Sequence, residues 1–157
     1  MGINKDQLEK LIINTLRELS LKMATQSAVN LLLGTAEQES HMGKYIHQIQ
    51  GPALGIFQME PKTHNDIWEN CIAHFSSKFI GRIRTITNST CLNPETMMYN
   101  LKYAIIMCRL HYWRVPEALP EHDDINALGS YWKKYYNTWM GKGTQQQFYS
   151  NYEKYVL

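Results

Sequence analysis

Apolar residues recur at helical intervals along most of the chain. Leu8, Leu11, Ile12, Leu16 and Leu19 predict a first amphipathic helix over about residues 5–20. Ala28, Val29, Leu32, Leu33 and Ala36 predict a second, ending between Ser40 and Gly43. Residues 43–60 break the pattern, with Gly and Pro punctuation around the short apolar run Leu54-Gly55-Ile56-Phe57-Gln58-Met59. Pro61 suits a first helical turn, and a third helix is predicted from there through Ile67, Trp68, Cys71, Ile72 and Phe75. Residues 81–91, rich in Thr, Ser and Asn, read as a loop.

Asn93, Pro94 and Glu95 suit the cap and first turn of a fourth helix. Behind them Met97, Met98, Leu101, Ala104, Ile105, Cys108 and Tyr112 form a continuous apolar stripe. Pro116 and Pro120 bracket a connection, and a fifth helix is predicted from Asp123 or Asp124 to about Trp139. Thr144 and Gln147 spell a capping box for a short last helix. The predicted fold class is mainly α, with an irregular loop or short β segment after the second helix. No repeat, low-complexity stretch or linker divides the chain, so residues 1–157 are expected to form one domain.

Composition narrows the class only a little. Ten Tyr and four Trp lean towards a surface that stacks on rings, although the same residues build cores. A net charge of +2, with basic residues spread along the chain, gives no nucleic-acid footprint. Cys71, Cys91 and Cys108 are odd in number and far apart, which suits reduced, half-buried thiols better than zinc or redox work. His41, His47 and His64 lack metal-type spacing on one helix, so neither a metal nor a cofactor is expected. The N-terminus has charges where a signal peptide needs an apolar run, and no stretch reaches membrane-span length. Synthesis as a soluble cytosolic protein, without membrane insertion, is therefore expected.

The candidate chemistry lies at the end of the second helix. Glu37 and Glu39 sit where a helix is already partly negative. Helical geometry places them on opposite flanks of the apolar stripe, with Ser40 near its middle, and so does not choose between them. The aromatics Tyr131, Trp132, Tyr135, Tyr136 and Trp139 occupy two neighbouring faces of the fifth helix, so core packing and a ring platform can coexist.

Two blocks, "ESHMGK" from Glu39 and "LGIFQMEP" from Leu54, together resemble the active-site signature of soluble lytic transglycosylases and goose-type lysozymes. A third block, "YYNTWMGKGT" from Tyr135, is similar to the segment that lines the sugar cleft in transglycosylases, and Asn100 matches an Asn that starts a helix there. The resemblance implies a lysozyme-like helical domain acting on peptidoglycan glycan strands. It implies Glu39 as the catalytic acid and leaves Glu37 a flanking surface residue. Ser40 would orient the acid or the substrate, Gln58 would line the cleft, and Tyr136 and Asn137 would contact the sugar or the glutamate. Packing under Leu54, Ile56 and Phe57 would desolvate the carboxyl and keep it protonated near neutral pH.

In transglycosylases one glutamate serves as acid and then base, and the product carries a 1,6-anhydromuramyl end. Goose-type lysozymes hydrolyse and carry aspartates after the catalytic helix, whereas this chain has no Asp between Glu39 and Gln58. Glu60 stands where those enzymes place an acidic residue, but reads first as a helix-start charge before Pro61. Transglycosylase is thus the first expectation and hydrolysis the second. The lack of a leader and of a wall-binding module suggests a bacteriophage enzyme, either a released endolysin or a lytic component of the virion in contact with tail proteins. The rival class is a non-catalytic, glycan-binding or structural protein on the same scaffold.

Overall fold

The computed structural model describes residues 2–89 and 92–157. Eight α-helices carry the fold, and the only pairing of extended backbone among the described residues is two isolated antiparallel bridges, His47 with Leu54 and Leu54 with Met59. The mainly α class is therefore the observed one. Helix α1 (Lys5–Leu19) begins where Asn4 Oδ1 accepts the Gln7 amide, and it buries Leu8, Ile12, Leu16 and Leu19. A 3₁₀ turn (Leu21–Met23) leads into α2 (Gln26–Ser40), whose Thr25 cap accepts the Ala28 amide.

Helix α2 is enclosed almost all round, from Leu31 through Glu37. It packs against α1, and against α6 (Leu101–Trp113), α7 (Ile125–Trp132) and α8 (Gln145–Tyr155). Gly34 is what lets α8 approach so closely, since a Cβ there would meet the Phe148 ring at 2.2 Å. Helix α6 is the second core helix, buried from Tyr103 to Leu110. Where it faces α2, the Tyr112 hydroxyl donates to Thr35 Oγ1 at 2.8 Å and Thr35 donates on to Leu31 O at 2.7 Å. Two buried hydroxyls are thereby satisfied without water.

Three predicted boundaries need correction. The third helix, α3 (Pro61–Asn70), stops before Cys71, and a separate 3₁₀ turn (Ile72–His74) follows. Much of the predicted 81–91 loop is helical: α4 (Ser77–Thr87) starts at a Ser76 cap and packs Ile83 into the core beside α1 and α6. Phe79, Ile80, Ile83 and Ile86 carry the helical spacing that the intervening Thr and Gly obscured.

The predicted fourth helix is two elements. Asn93 caps no helix; its Oδ1 accepts the Glu95 amide in a local turn. The short α5 (Thr96–Tyr99) then ends at Asn100, whose extended backbone starts α6. Asn100 Oδ1 accepts the Tyr103 amide while its Nδ2 donates to Thr87 O at 2.7 Å, which ties the start of α6 to the end of α4. The fifth predicted helix is α7 continued by a π-turn (Lys133–Asn137), and the capping box of Thr144 and Gln147 opens α8.

Cys71 and Cys108 are free thiols, and the Cys91 expectation lies outside the described residues. Among the described residues no helix is long and apolar enough to cross a membrane.

Candidate active site

Helix α2 ends in three consecutive left-handed residues, His41, Met42 and Gly43, at φ 50°, 56° and 81°. The His41 and Met42 amides bond back to Glu37 O and Ala36 O, which closes the helix and reverses the chain. Ser40, fully buried, holds that reversal: its Oγ accepts the Gly43 amide at 2.8 Å and donates to Ile56 O. Residues 54–59 are drawn onto the helix end as a closed turn, with Leu54 and Met59 exchanging both backbone bonds. Gly55 at φ 75° is required there, because a Cβ would meet Met97 O at 2.3 Å. From the far side the Tyr136 hydroxyl donates to Phe57 O at 2.8 Å.

This turn forms one wall of an open cleft of about 810 Å³. Glu39 faces into it from the last turn of α2, and Gln58, Glu60, Tyr136 and Asn137 also line it. Five of the six expected site residues are thus brought together. Ser40 is the exception: it lies beneath the cleft and acts on the backbone, not on Glu39 or a ligand. Glu37 also departs from expectation. It is 4 % exposed, it is hydrogen-bonded to His41 Nδ1 at 3.2 Å, and burial pushes its carboxyl up.

The Glu39 carboxyl accepts one hydrogen bond, from the buried indole Nε1–H of Trp132 at 2.9 Å. Burial raises its pKa to about 7, against the smaller opposing pull of that N–H. An indole can only donate, so Oε1 is the acceptor in either protonation state and the exchangeable proton resides on Oε2. Trp132 is itself fixed by stacking on Phe148 at 5.5 Å and by Gly143, where a Cβ would press on the indole at 2.6 Å. Its role as partner of Glu39 was missed in the sequence; the aromatic spacing marked the residue but not its contact.

The π-turn places Tyr136 and Asn137 at the cleft. Such wide turns occur often at functional sites, and here His111 holds the wide turn: its Nε2–H donates to Tyr135 O at 2.9 Å. Its Nδ1 then accepts from Arg114 at 3.2 Å, so the ring is neutral, and burial lowers its pKa to about 4. His111 lines the cleft and packs edge-on against Tyr136 at 4.9 Å, another residue that no local pattern marked.

Asn137 Oδ1 accepts from Lys133 Nζ at 2.6 Å, and the same amine bonds Gly141 O at 2.8 Å, bracing the loop that follows. Gln58 spends its Nε2 on Gly55 O at 2.8 Å, which leaves its side-chain oxygen for a ligand. Thr138, at φ 67° and ψ 167°, holds a backbone conformation that glycine alone adopts easily, and it too lines the cleft.

Glu60 occupies the cap position of α3 without making a side-chain cap bond. It is the only carboxylate besides Glu39 among the described residues of the cleft. No group of three or more His, Cys, Asp and Glu that could hold a metal comes together among the described residues. The arrangement provides one proton donor poised near neutrality, amide and hydroxyl groups around it, and a trough open enough for a polymer. Comparison with protein-family models, with curated proteins and with solved structures returned no match to this chain.

Proposed function

We propose that the chain is a lysozyme-like muramidase that cleaves the β-1,4 bond between MurNAc and GlcNAc in peptidoglycan. The observation that carries this reading is Glu39, a half-buried acid set in the side of an open cleft and bonded by the Trp132 indole, where desolvation raises its pKa to about 7. Protonated Glu39 gives the Oε2 proton to the glycosidic oxygen as the bond to the sugar's C1 breaks. The neighbouring N-acetyl oxygen closes onto C1, and the Glu39 carboxylate then removes the proton of the 6-hydroxyl. O6 displaces the acetamido oxygen, which leaves a 1,6-anhydro end, a regenerated acid and no water consumed.

Gln58, Asn137 and the Tyr136 ring would position the sugar. Trp139, 87 % exposed beside cleft-lining Thr138 and Met140, offers a face on which a further ring can stack. The proposed setting is the bacterial wall, reached after release from an infected cell or as part of a virion. Hydrolysis is the second reading, favoured by Glu60, which lines the same cleft and is free of a capping bond. There Glu60 would hold the attacking water.

Digestion of purified peptidoglycan by the wild type and by Glu39→Gln, read by mass spectrometry, tests both. Anhydromuramyl ends from the wild type, and at least a hundredfold loss in the variant, are expected. Reducing ends 18 mass units heavier, the mass of one water, would transfer the assignment to hydrolysis. Full activity of the variant would remove Glu39 as the acid, and no wild-type products from several wall types would remove the proposal and favour a non-catalytic glycan binder.

A further inference from the structure

A second pocket, of about 390 Å³, has no part in this chemistry. Tyr112 lines it and packs at 5.4 Å against Tyr136 of the cleft, so the two recesses lie on either side of α6 and α7. One wall is the turn before α2 with the start of that helix, contributing Lys22, Thr25 and Ser27. The opposite wall is apolar, from Trp113, Val115 and Leu119.

Arg109 stands between these walls and is only 3 % exposed. Its Nε donates to Met23 O at 2.8 Å and its guanidinium lies 5.2 Å from the Trp113 ring centre. Among the described residues no carboxylate pairs with it. Glu117, the one acid lining this pocket, is taken by Lys134 and Tyr135. The two Nη groups have no acceptor among the described residues. They are also not sealed in, because among the described residues Thr15 Oγ1 is the sole fully enclosed side-chain nitrogen or oxygen that lacks a partner. Their donors therefore open on the pocket.

A buried cation without a counter-ion is costly, and proteins rarely keep one unless it is used. The surroundings deepen the deficit of negative charge. Helix α2 has no acidic residue in its first turn, and although Thr25 takes the Ala28 and Val29 amides, those of Gln26 and Ser27 have no intrahelical acceptor. Desolvation lowers the Arg109 pKa to about 10, which still leaves it charged at neutral pH.

We propose that this pocket binds a small organic anion. Its carboxylate or phosphate sits between the Arg109 fork and the start of α2, and its apolar body lies against Trp113, Val115 and Leu119. Bidentate guanidinium bonds suit either oxyanion, and the volume suits a ligand of one ring and a short chain.

Calorimetric titration of the full chain at fixed ionic strength tests this. The probes are 3-phenylpropionate, phenyl phosphate, inorganic phosphate and the neutral 3-phenylpropanamide. One of the two phenyl anions is expected to bind at a single site, at least tenfold tighter than inorganic phosphate or the amide. Arg109→Met should weaken that binding tenfold or more while the protein stays folded, since it removes the uncompensated charge for the loss of one bond to Met23. Exposed Lys22→Ala should weaken it severalfold at unchanged Tm, and it decides the matter if Arg109→Met does not fold. Glu39→Gln should bind as the wild type. Absence of binding by both phenyl anions, equal binding of the amide or of inorganic phosphate, or wild-type affinity in Lys22→Ala would overturn the proposal. Loss of binding in Glu39→Gln would do so too, by placing the anion in the cleft.

Discussion

Desolvation in the cleft wall raises the Glu39 pKa to about 7, and Trp132 works against it by offering an N–H that the ionised carboxylate uses better. The pair is thus a tuning device with a sign that can be tested. On the proposed mechanism activity requires the protonated acid, so it is full well below pH 7 and falls as pH rises through that value. Trp132→Phe keeps a ring to stack on Phe148 but removes the donor. The Glu39 pKa should then rise, moving the alkaline fall of kcat/KM upward by about one pH unit. A pH–rate profile that stays in place would mean that the indole does not tune the acid.

At the scale of elements, chain reversals and helix starts decide where the site lies. The left-handed end of α2 reverses the chain, the bonds of Ser40 hold the 54–59 turn against that end, and Glu39 is left facing the cleft that the turn walls. Asn100 does comparable work for α6, with a cap bond and a bond to Thr87 O made by one side chain. Asn100→Ala should therefore cost about 2 kcal/mol, one part for the cap and one for the carbonyl left unpaired. Asn93→Ala, which removes only an exposed turn bond, should cost about 0.5 kcal/mol or less. Urea unfolding of the two variants separates them. Equal losses would return the start of the helix to Asn93, where a capping pattern read along the sequence alone put it.

For the whole molecule, the candidate acid and the histidine behind it tilt stability in opposite directions with pH. The folded pKa of Glu39, about 7, exceeds its ordinary 4.5, so the folded state holds the extra proton and stability is lost as pH rises through that window. His111 is depressed from 6.5 to about 4, so the unfolded state holds the extra proton and stability is gained as pH rises between those values. The two slopes largely cancel in the wild type between pH 4.5 and 6.5. Glu39→Gln removes one of them and keeps an acceptor for Trp132. The stability of the variant relative to the wild type should grow from pH 4.5 to 7 by on the order of 3 kcal/mol, then level off. Urea unfolding at pH 4.5, 6 and 8 checks this, and a difference that does not change with pH would contradict the burial of an acid at position 39.

Much of this was written in local pattern. Periodicity placed α1 and α2, because a helix that buries one stripe must repeat its apolar residues at the helical interval, while Pro61 and the capping box of Thr144 and Gln147 marked the starts of α3 and α8. The glutamates at the end of α2 and the aromatics of α7 were legible for the same reason, and the turn after α2 from the Gly and Pro residues that break the pattern. Which carboxyl is buried in a cleft, and by whom it is held, depends on atoms far apart in the chain. Periodicity put Glu37 and Glu39 on equal terms; the fold encloses Glu37 against its own helix and opens Glu39 to the trough under Trp132, 93 residues away. His111, Lys133 and the unpaired Arg109 became visible only in three dimensions. Their identity is local, but their burial, partners and missing partners are properties of packing between helices, and on these their chemistry depends.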